Sequence, residues 1–211
     1  MILTRVKLDT GLRKTLKALS NPNVFHGAVE LSQTGNRDRL LWRVDILKKQ
    51  YYLLILSRRP LDGRVLADQF CRSDSDVESK DYSLLLDRVT EGSKWRFKLA
   101  ANPTFSVPQD KGRERGKVVS PFRREDQLNW LKKHAEKNGF TLEEGQYDVA
   151  AVRQLRIKKY GQKSAVALQE VVYEGMLTVS DPEKLKLALV NGIGRGKAYG
   201  MGLMTLVSCH G

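Results

Sequence analysis

The chain has 211 residues, 41% of them hydrophobic, and a formal net charge of +13. This length allows one large domain or two small ones, and no apolar run approaches the length of a membrane span. The positive charge favours a polyanionic partner such as a nucleic acid. A basic surface that serves only solubility is the alternative. Cys71 and Cys209 are too few for a disulfide framework or a four-cysteine zinc site and are typical of reduced thiols in a cytosolic protein.

The first half of the chain has the element order βαββαβ of a ferredoxin-like domain. Apolar and polar residues alternate over residues 2–8, and Asn21-Pro22 predicts the start of a helix. Further strands are predicted over residues 39–47, 51–56, 82–86 and 94–100, a second helix over 60–71, and a polar loop over 73–80.

The second half repeats this order after a charged linker or exposed loop at residues 108–120. The patterns predict a helix over 123–137, strands over 147–159 and 165–179, a helix that begins at Asp181-Pro182, and a last strand over 203–207. We therefore expect an α+β protein of two tandem ferredoxin-like (RRM-like) domains, residues 1–105 and 106–211. The strand that should open the second domain is its least clear element.

A glycine-rich loop lies between the last helix and the last strand, at residues 191–202. Gly192, Gly194 and Gly196 leave bare backbone N–H groups that could form a nest for an anion, and Arg195 and Lys197 add positive charge. The order helix, loop, strand is the reverse of a Walker or Rossmann phosphate loop. A flexible helix cap and turn is the alternative.

His26 is the histidine best placed for chemistry. On a helix that begins at Pro22, it falls outside the apolar stripe of Phe25, Ala28 and Val29, on the polar side. A surface histidine with no role is the alternative. His134 follows Trp130 by one helical turn and is interpreted as a packed surface pair, and no role is assigned to His210.

The sequence offers no metal-ligand motif, so neither a metal nor another cofactor is expected. Nuclease chemistry would then have to be metal-independent. RNA permits this because its own 2′-hydroxyl is the nucleophile. The protein would supply a general acid or base, for which histidine is suited, and cations that stabilise the phosphorane.

A basic hairpin is predicted around residues 160–164. Its cations are Arg153, Arg156, Lys158, Lys159 and Lys163. A protruding hairpin with such charge could follow the phosphates of an RNA stem, whereas a charged edge that resists aggregation is the alternative.

Six segments carry a family resemblance: residues 21–26 (NPNVFH), 39–43 (RLLWR), 96–103 (RFKLAANP), 130–131 (WL), 172–177 (VYEGML) and 192–203 (GIGRGKAYGMGL). In these segments the chain resembles the CasE-type CRISPR RNA endoribonucleases, the repeat-cleaving subunit of type I-E Cascade. The segments run in order nearly from end to end.

The resemblance implies metal-independent cleavage beside the repeat stem-loop, with 2′,3′-cyclic phosphate and 5′-hydroxyl ends. It implies that His26 is catalytic and that Arg156, Lys158 and Lys159 grip the RNA stem. The implied partners are the repeat RNA and other Cascade subunits in the cytoplasm, with no membrane and no small-molecule cofactor.

Two positions depart from the family pattern. Asn23 stands where members often have tyrosine, and Leu31 where at least one member has lysine. Lys197 and Arg195 are candidate catalytic substitutes. A non-catalytic subunit that binds the crRNA hairpin is the alternative function.

Overall fold

The computed structural model describes residues 1–107, 116–158 and 165–209. The first half forms β1 Ile2–Lys7, α1 Arg13–Ser20, α2 Pro22–Leu31, β2 Leu41–Leu47, β3 Gln50–Ser57, α3 Gly63–Phe70 and β4 Val77–Asp81. Its strands build an antiparallel sheet in the order β2-β3-β1-β4. This is the ferredoxin-like arrangement: α1 and α2 connect β1 to β2, and α3 connects β3 to β4.

The second half repeats the arrangement. A short helix, α4 Ser83–Leu86, is followed by β5 Lys94–Ala101, β6 Phe105–Val107, β7 Lys117–Val119, α5 Arg124–Lys137, β8 Phe140–Thr141, β9 Tyr147–Lys158, β10 Ala165–Val179, α6 Pro182–Asn191 and β11 Met204–Ser208. The main sheet has the order β11-β5-β10-β8, and β9 also pairs with β10. The predicted fold class, two tandem ferredoxin-like units, is confirmed.

In the region between the two sheets, two predicted elements were wrong, and a third, correctly predicted as a strand, was assigned to the wrong sheet. Residues 73–80, predicted as a loop, contain β4, and residues 82–86, predicted as a strand, contain α4. The third, β5, pairs with β10 and β11 and therefore opens the second sheet instead of closing the first. It is the strand that was missing from the second repeat. The structure also adds the unpredicted helix α1 and a small β6–β7 hairpin, whose second strand lies in the predicted loop.

Local polarity explains why β4 escaped prediction. It is an edge strand whose residues are mostly exposed, so its composition is that of a loop. It is held by backbone pairing with β1, to which an Arg5–Glu78 ion pair of 2.8 Å is added. The pattern of buried apolar residues that predicts a strand is therefore absent.

The two sheets are joined by a shared core and by one buried cation. Leu41 and Leu56 of the first sheet belong to the hydrophobic cluster of the second half.

Arg43, on β2 and 2% exposed, donates to the carbonyl oxygens of Lys98 and Leu203 at 2.8 and 2.7 Å. It also donates to Thr205 Oγ1 at 2.7 Å and forms a two-pronged ion pair with Asp45. Arg43 thus fixes β2 against β5 and β11.

A division of the chain into domains at residue 105 stays a prediction. In the described structure β5, which precedes residue 105, pairs with strands of the second half. Across the described ranges, the helices are too short or too polar to cross a membrane.

Candidate active site

A cleft of about 660 Å³ opens between the two halves. From the first half it is lined by His26 and Glu30 of α2 and by Arg39, Leu40 and Trp42. From the second half it is lined by residues 194–199 of the glycine-rich loop. The structure therefore brings together His26, Gly194, Arg195, Gly196 and Lys197, which sequence analysis singled out from opposite ends of the chain.

The start and the packing of α2 place His26 in this cleft. The helix begins at Pro22, and the Asn21 side chain accepts a hydrogen bond from the Asn23 N–H at 3.2 Å. Phe25 is 2% exposed and packs against Phe70 and Trp42, with ring centroids 5.0 and 5.8 Å away. Because successive residues turn by about 100° on a helix, His26 leaves the core, and it lies half-buried at the cleft wall.

The glycine-rich loop is held by backbone hydrogen bonds at both ends. Ile193 N–H donates to Gly202 O at 2.9 Å, and Gly202 N–H donates to Ala100 O on β5 at 2.7 Å. At Gly200, φ is 82° and a Cβ atom would lie 2.7 Å from the Trp42 ring. Glycine is required there because the backbone is left-handed and seated on the tryptophan.

Lys197 and Arg195 bring positive charge to the loop. Lys197 starts a short 3-10 turn, Lys197–Tyr199, and its Nζ donates to Asn191 O at 2.7 Å. Burial lowers the pKa of Lys197, and the charge of Arg39 lowers it further. The Arg195 side chain is exposed, and its backbone forms a β-bridge with Asn102. The cleft is therefore cationic opposite His26.

Sequence analysis missed Glu30, Arg39 and Tyr199 as cleft residues. Glu30 could have been found, because it follows His26 by four positions and so shares its helix face. Arg39 precedes β2 and Tyr199 lies in the 3-10 turn, and only the packing of the two halves brings them to the cleft.

The basic hairpin is formed by β9 and β10. Arg153 and Arg156 are exposed on β9, whereas Ile157 is buried. Arg153 Nε pairs with Glu170 Oε2 at 3.0 Å. Burial raises the pKa of Glu170, and the charge of Arg153 opposes that rise. Arg153 therefore already has an anionic partner within the protein.

Three further hairpin positions are less fully described. The backbone of Lys158 pairs with Ala165 at the end of the ladder. Lys159 and Lys163 lie outside the described residues, as does His210. Their contribution to an RNA surface stays a prediction.

A second cavity of about 530 Å³ adjoins the cleft and shares Gly194 and Arg195 with it. His134 lies in its wall, stacked on Trp130 with ring centroids 3.8 Å apart. The predicted packing of this pair is confirmed. Within the described part of the chain, no group of three or more His, Cys, Asp or Glu side chains could hold a metal ion.

The comparisons with known proteins agree over nearly the whole chain. The family model described as "CRISPR associated protein" matches residues 1–207. The CRISPR-associated endoribonuclease Cse3 of Thermus thermophilus is 30% identical over 225 aligned positions, which cover 98% of this chain and 99% of the relative.

Solved structures also match from end to end. Thermus thermophilus Cse3 bound to an RNA representing a pre-cleavage complex has a TM-score of 0.82 at 27% identity, with 98% of each chain covered. A chain of a CRISPR RNA-guided surveillance complex has a TM-score of 0.69 at 22% identity, with 99% of this chain and 100% of that chain covered. At that identity, the second match shows the fold alone.

Proposed function

The chain belongs to the CRISPR-associated protein family, and from this premise we propose that it is a CRISPR RNA endoribonuclease. It cleaves precursor RNA beside the repeat stem-loop and keeps the hairpin of the product. The observation that carries this proposal is the cleft in which His26 faces the loop cations Arg195 and Lys197. The endoribonuclease relative matches this chain over nearly its full length, and the RNA-bound relative has the same fold.

The cleft contains the groups that metal-independent cleavage needs. The 2′-oxygen of the nucleotide before the cut attacks the phosphorus, and the bond from phosphorus to the 5′-oxygen breaks. The 2′-hydroxyl loses its proton, the leaving 5′-oxygen gains one, and the products end in a 2′,3′-cyclic phosphate and a 5′-hydroxyl. His26 moves one of these protons as general base or acid.

The glycine-rich loop stabilises the charge that develops on the phosphorane. Arg195 and Lys197 provide the positive charge, and the backbone of Gly194 and Gly196 approaches the phosphate without side-chain bulk. Gly192, at the end of α6, does not line the cleft. Through its charge, Lys197 serves as a catalytic residue in a chain that has Asn23 and Leu31 on α2, at the positions where members of the family can have tyrosine and lysine.

The β9–β10 hairpin binds the RNA stem in this proposal. Arg156, Lys158, Lys159 and Lys163 contact its phosphates, and Arg153 joins them at the base of the hairpin beside Glu170. The protein remains on the 3′ hairpin of the crRNA as a subunit of type I-E Cascade. A cytoplasmic location suits this role, and Cys71 and Cys209 are both free thiols.

One experiment tests the chemistry. The protein is incubated in EDTA with its cognate repeat RNA and with the same RNA carrying a single 2′-deoxy nucleotide at the scissile position. We expect cleavage of the first RNA, with a cyclic phosphate on the upstream product, and none of the second. Cutting of the deoxy substrate, or a strict need for a divalent cation, would refute the mechanism. Binding of both RNAs without any cleavage would favour a non-catalytic subunit that holds the hairpin.

A further inference from the structure

The cavity beside the catalytic cleft shares Gly194 and Arg195 with it, but the other residues of its wall have no part in the mechanism above. Its wall contains Asn102, Thr104, Ser106, Trp130, His134 and Arg195. Its volume, about 530 Å³, lies within the range of small-ligand sites. It differs from the cleft in chemistry, because beside its aromatic surface the polar groups other than Arg195 are an amide and hydroxyls, whereas the cleft also has Glu30, Arg39 and Lys197.

The aromatic surface comes from α5. Trp130 is 3% exposed, and the half-buried His134 ring stacks on it. His134 Nδ1 lies 2.8 Å from Trp130 O, so Nδ1 carries the proton and Nε2 is an acceptor. Burial lowers the pKa of His134, which favours the neutral ring. A flat neutral ring of this kind is a surface on which a nucleobase can stack.

The polar groups surround this ring. Asn102 is only 4% exposed, and its Oδ1 has no hydrogen-bond partner among the described residues. The hydroxyl-bearing residues Thr104 and Ser106 lie beside it in the wall. An amide and two hydroxyls can both donate and accept, which suits the edge of a base, whereas a phosphate would need more than the single cation Arg195.

The positions of the neighbouring cavities indicate which nucleotide of the RNA would occupy this one. Gly194 and Arg195 line both this cavity and the catalytic cleft. On its other side the cleft shares Trp42 and Tyr199 with a groove that reaches Leu155 of the hairpin. A strand that runs from the hairpin through the cleft therefore enters this cavity directly after the scissile phosphate.

We infer that the cavity is a base-binding subsite for the first nucleotide on the 3′ side of the cut, with Asn102 and His134 as its main contacts. This inference rests on the proposed function, in which the β9–β10 hairpin binds the RNA stem and the protein retains the product on the 5′ side of the cut. The subsite holds the leaving nucleotide, so that its 5′-oxygen stays in line with the attacking 2′-oxygen.

Binding to uncleavable RNA tests the inference. Repeat stem-loops with 2′-deoxy at the scissile position are prepared with a 3′-phosphate and no further nucleotide, or with one or two nucleotides beyond it, and a further one-nucleotide form lacks the base. We expect the first added nucleotide to tighten binding by roughly ten-fold, as one stacked base does. The second should add little, and the abasic nucleotide should lose most of the gain.

Variants separate the subsite from a structural effect. His134→Ala should lose the gain from the first nucleotide but bind the unextended stem-loop as the parent does, and His134→Phe, which keeps a flat ring, should restore most of it. Lys133→Ala, an exposed change on the same helix, is the control, and thermal unfolding of each variant shows that it is folded.

Each result has one interpretation. Equal affinity for natural and abasic extensions overturns the subsite while stem-loop binding and cleavage leave the proposed function standing. The subsite is also overturned, and the proposed function left standing, if His134→Ala weakens the binding of all the RNAs by the same factor. If the parent protein binds none of the stem-loops, the proposed function itself is overturned, and the subsite with it.

Discussion

His26 is the residue whose removal should separate chemistry from binding. A general acid or base contributes about 10²–10⁴ in rate, whereas phosphate contacts dominate affinity. His26→Ala should therefore bind the repeat hairpin nearly as tightly as the parent and cleave it about 10²–10⁴ times more slowly at saturating protein. Single-turnover rates and filter-binding affinities measure the two effects.

Gly27→Ala is the control for that experiment. Gly27 is exposed on α2, and a Cβ atom there would meet nothing within 4 Å. The change should keep the cleavage rate and raise the helix stability by about 0.5–1 kcal/mol. If His26→Ala instead lost binding and cleavage in parallel, His26 would be a docking residue.

His134 should make stability depend on pH. Burial lowers the pKa of His134 in the folded protein, while the unfolded chain keeps a value of about 6.5. As pH falls through about 6.5, the unfolded state binds a proton that the folded state does not, so stability falls until the folded pKa is passed. Urea unfolding midpoints at pH 7.5 and pH 5 should show a smaller loss for His134→Phe than for the parent protein. Equal losses would exclude His134 as a source of the acid sensitivity.

At the scale of elements, the β9–β10 hairpin is the predicted RNA-binding surface. Each phosphate contact should steepen the fall of affinity with salt by about 0.7–0.9 logarithmic units per tenfold change. Neutralising Arg156, Lys158 and Lys159 together should weaken binding and flatten this slope. Lys197→Ala offers the contrast, because it should slow single-turnover cleavage more than it weakens binding.

A charge-matched control separates the hairpin from the overall charge of +13. Arg13, Lys14 and Lys17 are exposed on α1, and neutralising them removes the same net charge. If both triple variants changed the salt slope equally, RNA would be sensing the total charge of the protein, and the hairpin would be only a solvated edge.

The elements that sequence predicted best are those whose signals are local. Asn21-Pro22 starts α2 and Asp181-Pro182 starts α6, where the Asp181 side chain caps Lys184 N–H at 3.1 Å. By contrast, β4 is polar, and β5 belongs to the second sheet although it was expected in the first. Both strands are defined by partners that are distant in the chain. Strand pairing of that kind leaves no periodic signal of its own.

In the candidate site, too, the features with local sequence signals were predicted and those that depend on tertiary packing were not. The helical period placed His26 off the apolar stripe, and the glycines marked the loop. The juxtaposition of Glu30, Arg39 and Tyr199 with them depends on how two sheets pack, which no local pattern contains. The family resemblance supplied what periodicity could not, since it linked α2 to the loop before the fold was known.

At the scale of the whole molecule, the cleft proposed as the active site exists only while the two halves keep their relative position. His26 comes from one half and Lys197 from the other. Arg43, which is 2% exposed, joins them through three hydrogen bonds to the second half, and two more to Asp45 hold its guanidinium in place. Its guanidinium satisfies two carbonyl oxygens, a hydroxyl and the Asp45 carboxylate at once, which the single ammonium group of lysine could not do.

Arg43→Met should therefore destabilise the protein by about 3–5 kcal/mol, because it leaves two carbonyl oxygens without this donor and leaves Asp45 with the more distant Lys98 Nζ, at 3.6 Å. Arg5→Ala, which breaks the exposed Arg5–Glu78 pair, should cost no more than about 1 kcal/mol. Urea unfolding of the three proteins measures the difference. Asp45→Asn in the Arg43→Met background should cost less than it does alone, since the two residues act as a pair. If Arg43→Met unfolded at the midpoint of the parent, the shared hydrophobic core alone would hold the halves together, and the cleft would not depend on this cation.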